Sequence, residues 1–261
     1  MSRGFAAAIL AVLGMFATTA VGQGAARADE IVLGADEWCP YNCAAESDRP
    51  GYAVEIAREI FAKAGHRVEY RTMPWSRALQ ECRRGRLTGV IGADHTETPD
   101  FVFPALAVAV TDTTFVVRKD NPWRYTGPDS LSQLLLGGIL GYSYDGAVGN
   151  YVHTNARDGA RVDLVGGDTA LEMNLRKLVA GRIGATMDAK PVLAYKIKEM
   201  GLAGEVAYAG SVDPTENFIA FSPALSKARD YAAIWDKGLA EMRESGRLAQ
   251  ILDRYGVSDW R

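Results

Sequence analysis

Short apolar strands alternate with amphipathic helices along this chain, and the alternation occurs twice. In the first run, IVLGAD (31–36) reads as a strand leading into the turn-rich segment 37–50. Residues 52–64, YAVEIAREIFAKA, bring Ala53, Ala57, Ile60, Phe61 and Ala64 onto one helical face, with Gly65 as a stop. HRVEYRTMP (66–74) alternates as a strand, Ser76 can cap a helix over RALQECRRG (77–85), and TGVIGA (88–93) is a third strand. Strand, helix, strand, helix, strand at these lengths predicts a mostly parallel sheet with helices on its faces.

The second run repeats the order. GGILGYSY (137–144) is a strand ending in a glycine-flexible turn, AVGNYVHT (147–154) a short helix, and RVDLVGG (161–167) a strand. Asp168 or Thr169 caps ALEMNLRKLVAGR (170–182), IGATMDAK (183–190) is a strand ending in an acid, and PVLAYKIKEMG (191–201) is a helix that admits Pro191 in its first turn. VAVTDTTFVVRKD (108–120) lies between the runs; NFIAFS (217–222) and an amphipathic region over 226–255 follow them. Two α/β units joined by extended segments imply two lobes with a cleft between them and hinges in the joining segments. Lobe two is expected over 119–212, which leaves lobe one discontinuous, 29–118 plus 213–261.

At the amino terminus Arg3 precedes an apolar stretch from Phe5 to Phe16, then small residues and an A-R-A triplet ending at Ala28. This is the order of a secretory signal peptide. About a dozen strongly apolar residues fall short of the roughly 20 that cross a bilayer. A cleaved leader, 1–28, is therefore expected, with the mature protein in the periplasm and no membrane insertion after cleavage. No cysteine stands at the cleavage point to carry a lipid.

Composition then excludes several classes. Hydrophobic side chains make up 48% of 261 residues, enough for a core and too many for a disordered tail. Lysine and arginine total 29 against 32 acidic residues, and no basic run exceeds two residues, so no nucleic-acid partner is expected. Three cysteines make neither a disulfide scaffold nor a zinc-ligand spacing, and no metal or cofactor is expected. In an oxidising compartment Cys39 and Cys43 of CPYNC can close a small disulfide loop, although their spacing does not by itself secure the required Cα separation.

GYAVEIAREIFAKAGHRVEY, MPWSRALQECRRGRLTGVIGADHTETPDFVFP, GGILGYSYDG, GDTALEMNLRKLVAGRIGATMDAKPVLAYKI and NFIAFS, in this order, resemble the bacterial extracellular solute-binding proteins of family 3. The resemblance covers nearly all of the chain beyond the leader. It implies an α/β fold of two Rossmann-like lobes with a ligand cleft between them, the type II periplasmic binding protein fold. It also implies a monomeric, non-enzymatic receptor that captures a small polar ligand, an amino acid, amine or derivative, by lobe closure. The partner would be an ABC-type permease or a membrane sensor. A dehydratase-like enzyme on the same scaffold and a noncatalytic interaction domain are the alternatives; no triad or carboxylate pair in the linear spacing supports the enzyme.

Family members that bind free amino acids place a threonine and then a carboxylate-clamping arginine after the third strand. Here ADHTETPDFVFP offers Thr96 and Thr98 but no arginine, so the clamp does not carry over. The acid that the family sets against an α-ammonium corresponds to Asp188. The ligand is thus expected to be cationic or amine-bearing without an ordinary α-carboxylate, or to be clamped by another cation, for which Arg77 is the candidate. Trp38 and Tyr41, after the first strand, and Trp75, at a strand-to-helix junction, offer flat surfaces that can cover a cation. Asp188 ends an apolar strand, where a carboxylate is costly unless paired; capping the next helix is its plainer role. Tyr142, Ser143, Tyr144 and Asp145 enter the first helix of lobe two, where N–H groups and hydroxyls can orient a ligand. His95, between Asp94 and Glu97, joins the ligand contacts; its neighbours give no metal-ligand spacing.

Overall fold

A computed structural model describes Met1, residues 28–144 and residues 146–260. The expected leader, apart from its two end residues, and Asp145 lie outside the described residues.

The first sheet is built on β1 (Glu30–Ala35), β2 (Arg67–Thr72) and β3 (Gly89–Ala93), with β4 (Ala109–Thr111) and β10 (Thr215–Phe221) completing the order β2-β1-β3-β10-β4. β1 pairs parallel with β2 and β3, whereas β10 runs antiparallel to β3 and β4. The second sheet has β5 (Thr113–Arg118), β6 (Leu136–Ile139), β7 (Val162–Val165), β8 (Ala185–Ala189) and β9 (Val206–Ser211) in the order β7-β6-β8-β5-β9. Here β6 is parallel to β7 and β8, and β5 is antiparallel to β8 and β9. Each sheet is therefore mixed: the strand–helix–strand runs form its parallel part, and the chain segments that cross between sheets return antiparallel.

The helices follow the apolar periodicity. α1 (Tyr52–Lys63) buries Tyr52, Ile56, Ile60 and Phe61 against the first sheet; α2 (Trp75–Arg83) buries Trp75, Ala78, Leu79 and Cys82. α3 (Gly146–Asn155), α4 (Ala170–Val179) and α5 (Lys190–Glu199) accompany the second sheet, while α6 (Ala228–Glu244) and α7 (Arg247–Tyr255) return to the first. Trp235 of α6 is wholly buried and donates its indole N–H to the Leu106 carbonyl. Ser76 is not a helix cap: α2 begins one residue earlier, and Pro74, whose fixed φ suits the junction, occupies the capping position. β9 has no counterpart in the sequence reading, because VAYAGS buries only Ala209 and carries no continuous apolar face.

Two passages join the sheets. One is Thr111–Asp112–Thr113, between β4 and β5; the other is residues 212–214, between β9 and β10. The Val212 N–H donates to the Thr113 carbonyl, which ties the passages together beneath the space between the sheets. β5 lies in the second sheet, so that sheet takes the chain from Thr113, upstream of residue 119.

Candidate functional site

A cavity of about 100 Å3 lies between the two sheets, at the carboxyl ends of β1, β3 and β8. This is where ligands of open α/β sheets collect, because strand ends leave room between diverging loops. Among the described residues four carboxylates line it: Asp36 after β1, Asp94 and Glu97 after β3, and Asp188 in β8. No lysine or arginine among the described residues lines it.

The loop after β1 is held tightly. Trp38 and Asn42 bridge as a short antiparallel pair, and the buried Asn42 amide donates to the Asp36 carbonyl at 2.6 Å. Cys39 and Cys43 are bonded, with their Cα atoms 4.7 Å apart. Tyr41, buried behind Trp38, stacks on it with ring centroids 4.2 Å apart. The indole is thereby fixed against the cavity, and its N–H donates to Asp188 Oδ1 at 2.7 Å. Replacing both cysteines, as Cys39→Ala/Cys43→Ala, is expected to lower unfolding free energy by about 2 kcal/mol, the loop-closure entropy of so short a ring. Urea melts of the oxidised protein and the double variant would check this; an unchanged midpoint would contradict it.

After β3 the chain turns on Asp94. Its Oδ1 accepts the Thr96 and Glu97 N–H groups at 2.7 and 2.9 Å, an Asx-type turn that carries Glu97 toward the cavity. Glu97 Oε1 then accepts the Trp75 indole N–H at 2.9 Å. From the second sheet, the Tyr142 hydroxyl donates to Asp36 Oδ2 at 2.6 Å and the Ser143 hydroxyl to Asp94 Oδ2 at 3.3 Å. Tyr144 adopts a left-handed backbone, φ 46°, rare for a bulky side chain. Its hydroxyl accepts the Ile139 N–H, and α3 packs so closely behind it that a Cβ at Gly149 would stand 1.5 Å from the Tyr144 carbonyl oxygen. Thr111, Thr113, Thr215 and Asn217 form the floor, at the passages between sheets.

The carboxylates are buried and repel one another. Burial pushes Asp188 up to about 7 against the pull of the Trp38 and Ala189 N–H groups, with Asp36 adding repulsion. Burial likewise pushes Glu97 to about 7, opposed by the Trp75 hydrogen bond and reinforced by Asp94 and Asp36. Asp36 rises to about 6 from burial, moderated by Tyr142 and raised further by Asp168 and Glu37. Such a site disfavours its own ionised state and gains by admitting a positive charge.

Of the residues singled out from sequence, Trp38, Trp75, Tyr142, Ser143, Tyr144 and Asp188 meet around this cavity. Tyr41 stands behind the wall. Arg77 is exposed on α2 and outside the lining, because residues 75, 78, 79 and 82 form that helix's buried face. His95 and Thr96 are also exposed and outside it; the His95 ring packs against Phe103, centroids 3.9 Å apart. Asp36, Asp94 and Glu97 and the threonine-rich floor were not selected. Asp36 ends IVLGAD as Asp188 ends IGATMD, an acid closing an apolar strand, and that signal would have found it.

Two α/β sheets enclosing a polar, aromatic-walled cavity at their strand ends define a bilobal ligand-binding protein. The chain matches the model of bacterial extracellular solute-binding proteins, family 3, over residues 31–258, and it belongs to that family. Its work is therefore solute binding outside the cytoplasm, and not catalysis. It is 22% identical over 261 residues to the probable amino-acid-binding protein YxeM of Bacillus subtilis (strain 168), covering 96% of this chain and 94% of that one. Its fold resembles a histidine kinase sensor domain with similarity to periplasmic binding proteins, with TM-score 0.72 and 21% identity over 88% of this chain and 96% of that one. It also resembles an ancestral arginine-binding protein bound to glutamine, with TM-score 0.69 and 21% identity over 88% and 98% of the two chains.

Proposed function

We propose that this protein captures a small organic cation, an amine or amine derivative, in the cavity between its sheets. The observation that carries this is the lining: among the described residues it has four carboxylates and no basic side chain. Among the described residues no three acidic, histidine or cysteine side chains converge as a metal site, which favours an organic cation over a metal ion. Trp38 and Trp75 give the ligand aromatic faces, worth roughly 0.5 to 2 kcal/mol toward a cation depending on its desolvation. Asp188 receives the positive centre, with Tyr142, Ser143 and Tyr144 closing over it from the second sheet.

Lobe one in this reading comprises 29–111 with 215–261, and lobe two 113–211, hinged at the two passages between sheets. Lobe closure stores binding energy as a shift toward the closed form. The closed monomer presents its cargo to an ABC-type permease or, as the fold of the kinase sensor domain suggests, to a membrane sensor. Export through a cleaved leader, 1–28, places it in the periplasm.

A thermal-shift screen of protein stripped of carried-over ligand, run at pH 8 against amines, amino acids, carboxylates and sugars, tests the reading. Amines are expected to raise the melting temperature saturably. Stabilisation by carboxylates that lack an amine, with none by amines, would contradict it.

A further inference from the structure

The acid-lined space does not end at the principal cavity. Beyond it lies a second cavity of about 190 Å3, bounded by residues 167–169 after β7, the first turn of α4 and one face of α5. Asp36, Tyr142 and Asp188 line both cavities. The Tyr142–Asp36 and Trp38–Asp188 hydrogen bonds therefore form a partition one side chain thick between them.

The far side brings further acids. Glu172 is paired with Arg176, and Glu199 with Lys196. Glu37 and Asp168 have no ion pair among the described residues, and both raise the proton affinity of Asp36. Asp188 supplies an independent sign. It is 5% exposed, and its Oδ1 takes the N–H groups of both Trp38 and Ala189. Its Oδ2 takes no hydrogen bond from the described residues, although the side chain stands in the wall shared by the two cavities. That oxygen is not sealed among protein atoms and so stays open to a donor that enters the cleft.

Resting on the cation reading of the principal cavity, we propose that the cleft takes an elongated dication, a linear aliphatic diamine or longer polyamine. One ammonium sits among Asp94, Glu97 and Asp188. The methylene chain displaces the Tyr142–Asp36 contact, and the second ammonium reaches Glu37 and Asp168. A monoamine can neutralise only the first of these clusters, so affinity should climb with the second charge.

Titration calorimetry at pH 8 with butylamine, 1,4-diaminobutane, 1,8-diaminooctane and spermidine tests this on the wild type and on Glu37→Gln/Asp168→Asn. At least one di- or polyamine is expected to bind about tenfold or more tightly than butylamine. The double variant, whose two sites are exposed, is expected to erase most of that advantage while butylamine affinity moves less than about threefold. Equal affinity for mono- and diamines, or an advantage that survives in the double variant, overturns the dication proposal and leaves the cation reading standing. No binding of any of the four by protein that melts cooperatively overturns both.

Discussion

Asp188→Asn is expected to weaken amine binding about 100-fold or more at neutral pH while raising the melting temperature of the unliganded protein. The two effects share one cause. In the folded protein burial holds this carboxyl near pKa 7, against an ordinary value near 3.8. A group whose folded pKa lies above its unfolded value contributes stability below the unfolded pKa and loses it as pH rises through the folded one. Between about pH 4 and pH 7, then, ionising Asp188 drains stability, on the order of 2 to 4 kcal/mol once complete. Asparagine has no charge to desolvate and keeps an acceptor for the Trp38 N–H, so the variant should melt roughly 5 to 10 °C higher at pH 7.5. The ligand loses its ionic partner at a buried carboxylate, where removing one half of a charge pair costs about 2 to 5 kcal/mol. An aspartate that merely capped α5 would show the reverse: lower melting temperature and unchanged affinity.

The same carboxylates make the unliganded protein less stable as pH rises from about 4 to about 7.5, and make cation affinity grow over that interval. Asp36, near 6, and Glu97 and Asp188, near 7, all ionise in the folded state within this window. Each has a raised folded pKa, so each works in the same direction. Paired acids at the surface work oppositely: Asp29 beside Lys227, Glu59 beside Arg247 and Asp100 beside Arg83 are held below their ordinary values. Their contribution is present above the ordinary carboxylate range and lost only at more acidic pH. Melting temperature without ligand is therefore expected to peak under mildly acidic conditions and fall by roughly 5 to 15 °C toward pH 8. Differential scanning calorimetry from pH 4 to 8.5 checks this; a melting temperature that rises steadily toward pH 8 would contradict it. Amine affinity should rise across the same range and level off near pH 8, when no carboxyl must first lose a proton.

The parts of the fold written in the sequence are those set by local periodicity. YAVEIAREIFAK folds as α1 because its apolar residues share one helical face, and IVLGA and GVIGA lie centrally in a sheet because they are apolar on both faces. The mixed pairing was hidden, since β10 and β5 owe their antiparallel neighbours to crossings between sheets, which no local pattern records. The short passage through Thr111 to Thr113 likewise splits one continuous β-branched segment between two sheets.

The site was legible where a residue's chemistry clashed with its surroundings. Asp188 at the end of an apolar strand and the aromatic pair in the loop after β1 were of that kind. Arg77 stands apart from the cavity because α2 turns residues 75, 78, 79 and 82 inward, a face that leaves residue 77 to solvent. Glu97 was seen as a neighbour of His95 and not chosen as a ligand contact, because only the Asp94-centred turn, together with the Trp75 indole, carries it inward. The threonine floor is assembled from segments about a hundred residues apart, and nothing in the sequence near Thr111 points to Asn217.

The central claim is that ionised carboxylates in the cleft receive a cation. Titration calorimetry of butylamine and 1,4-diaminobutane at pH 6.5, in two buffers of different ionisation enthalpy, counts the protons exchanged on binding. The account predicts proton release into the buffer, fading as the pH is raised to 8, with no heat from butanoate at either pH. Proton uptake, or butanoate binding while both amines fail to bind, would contradict it.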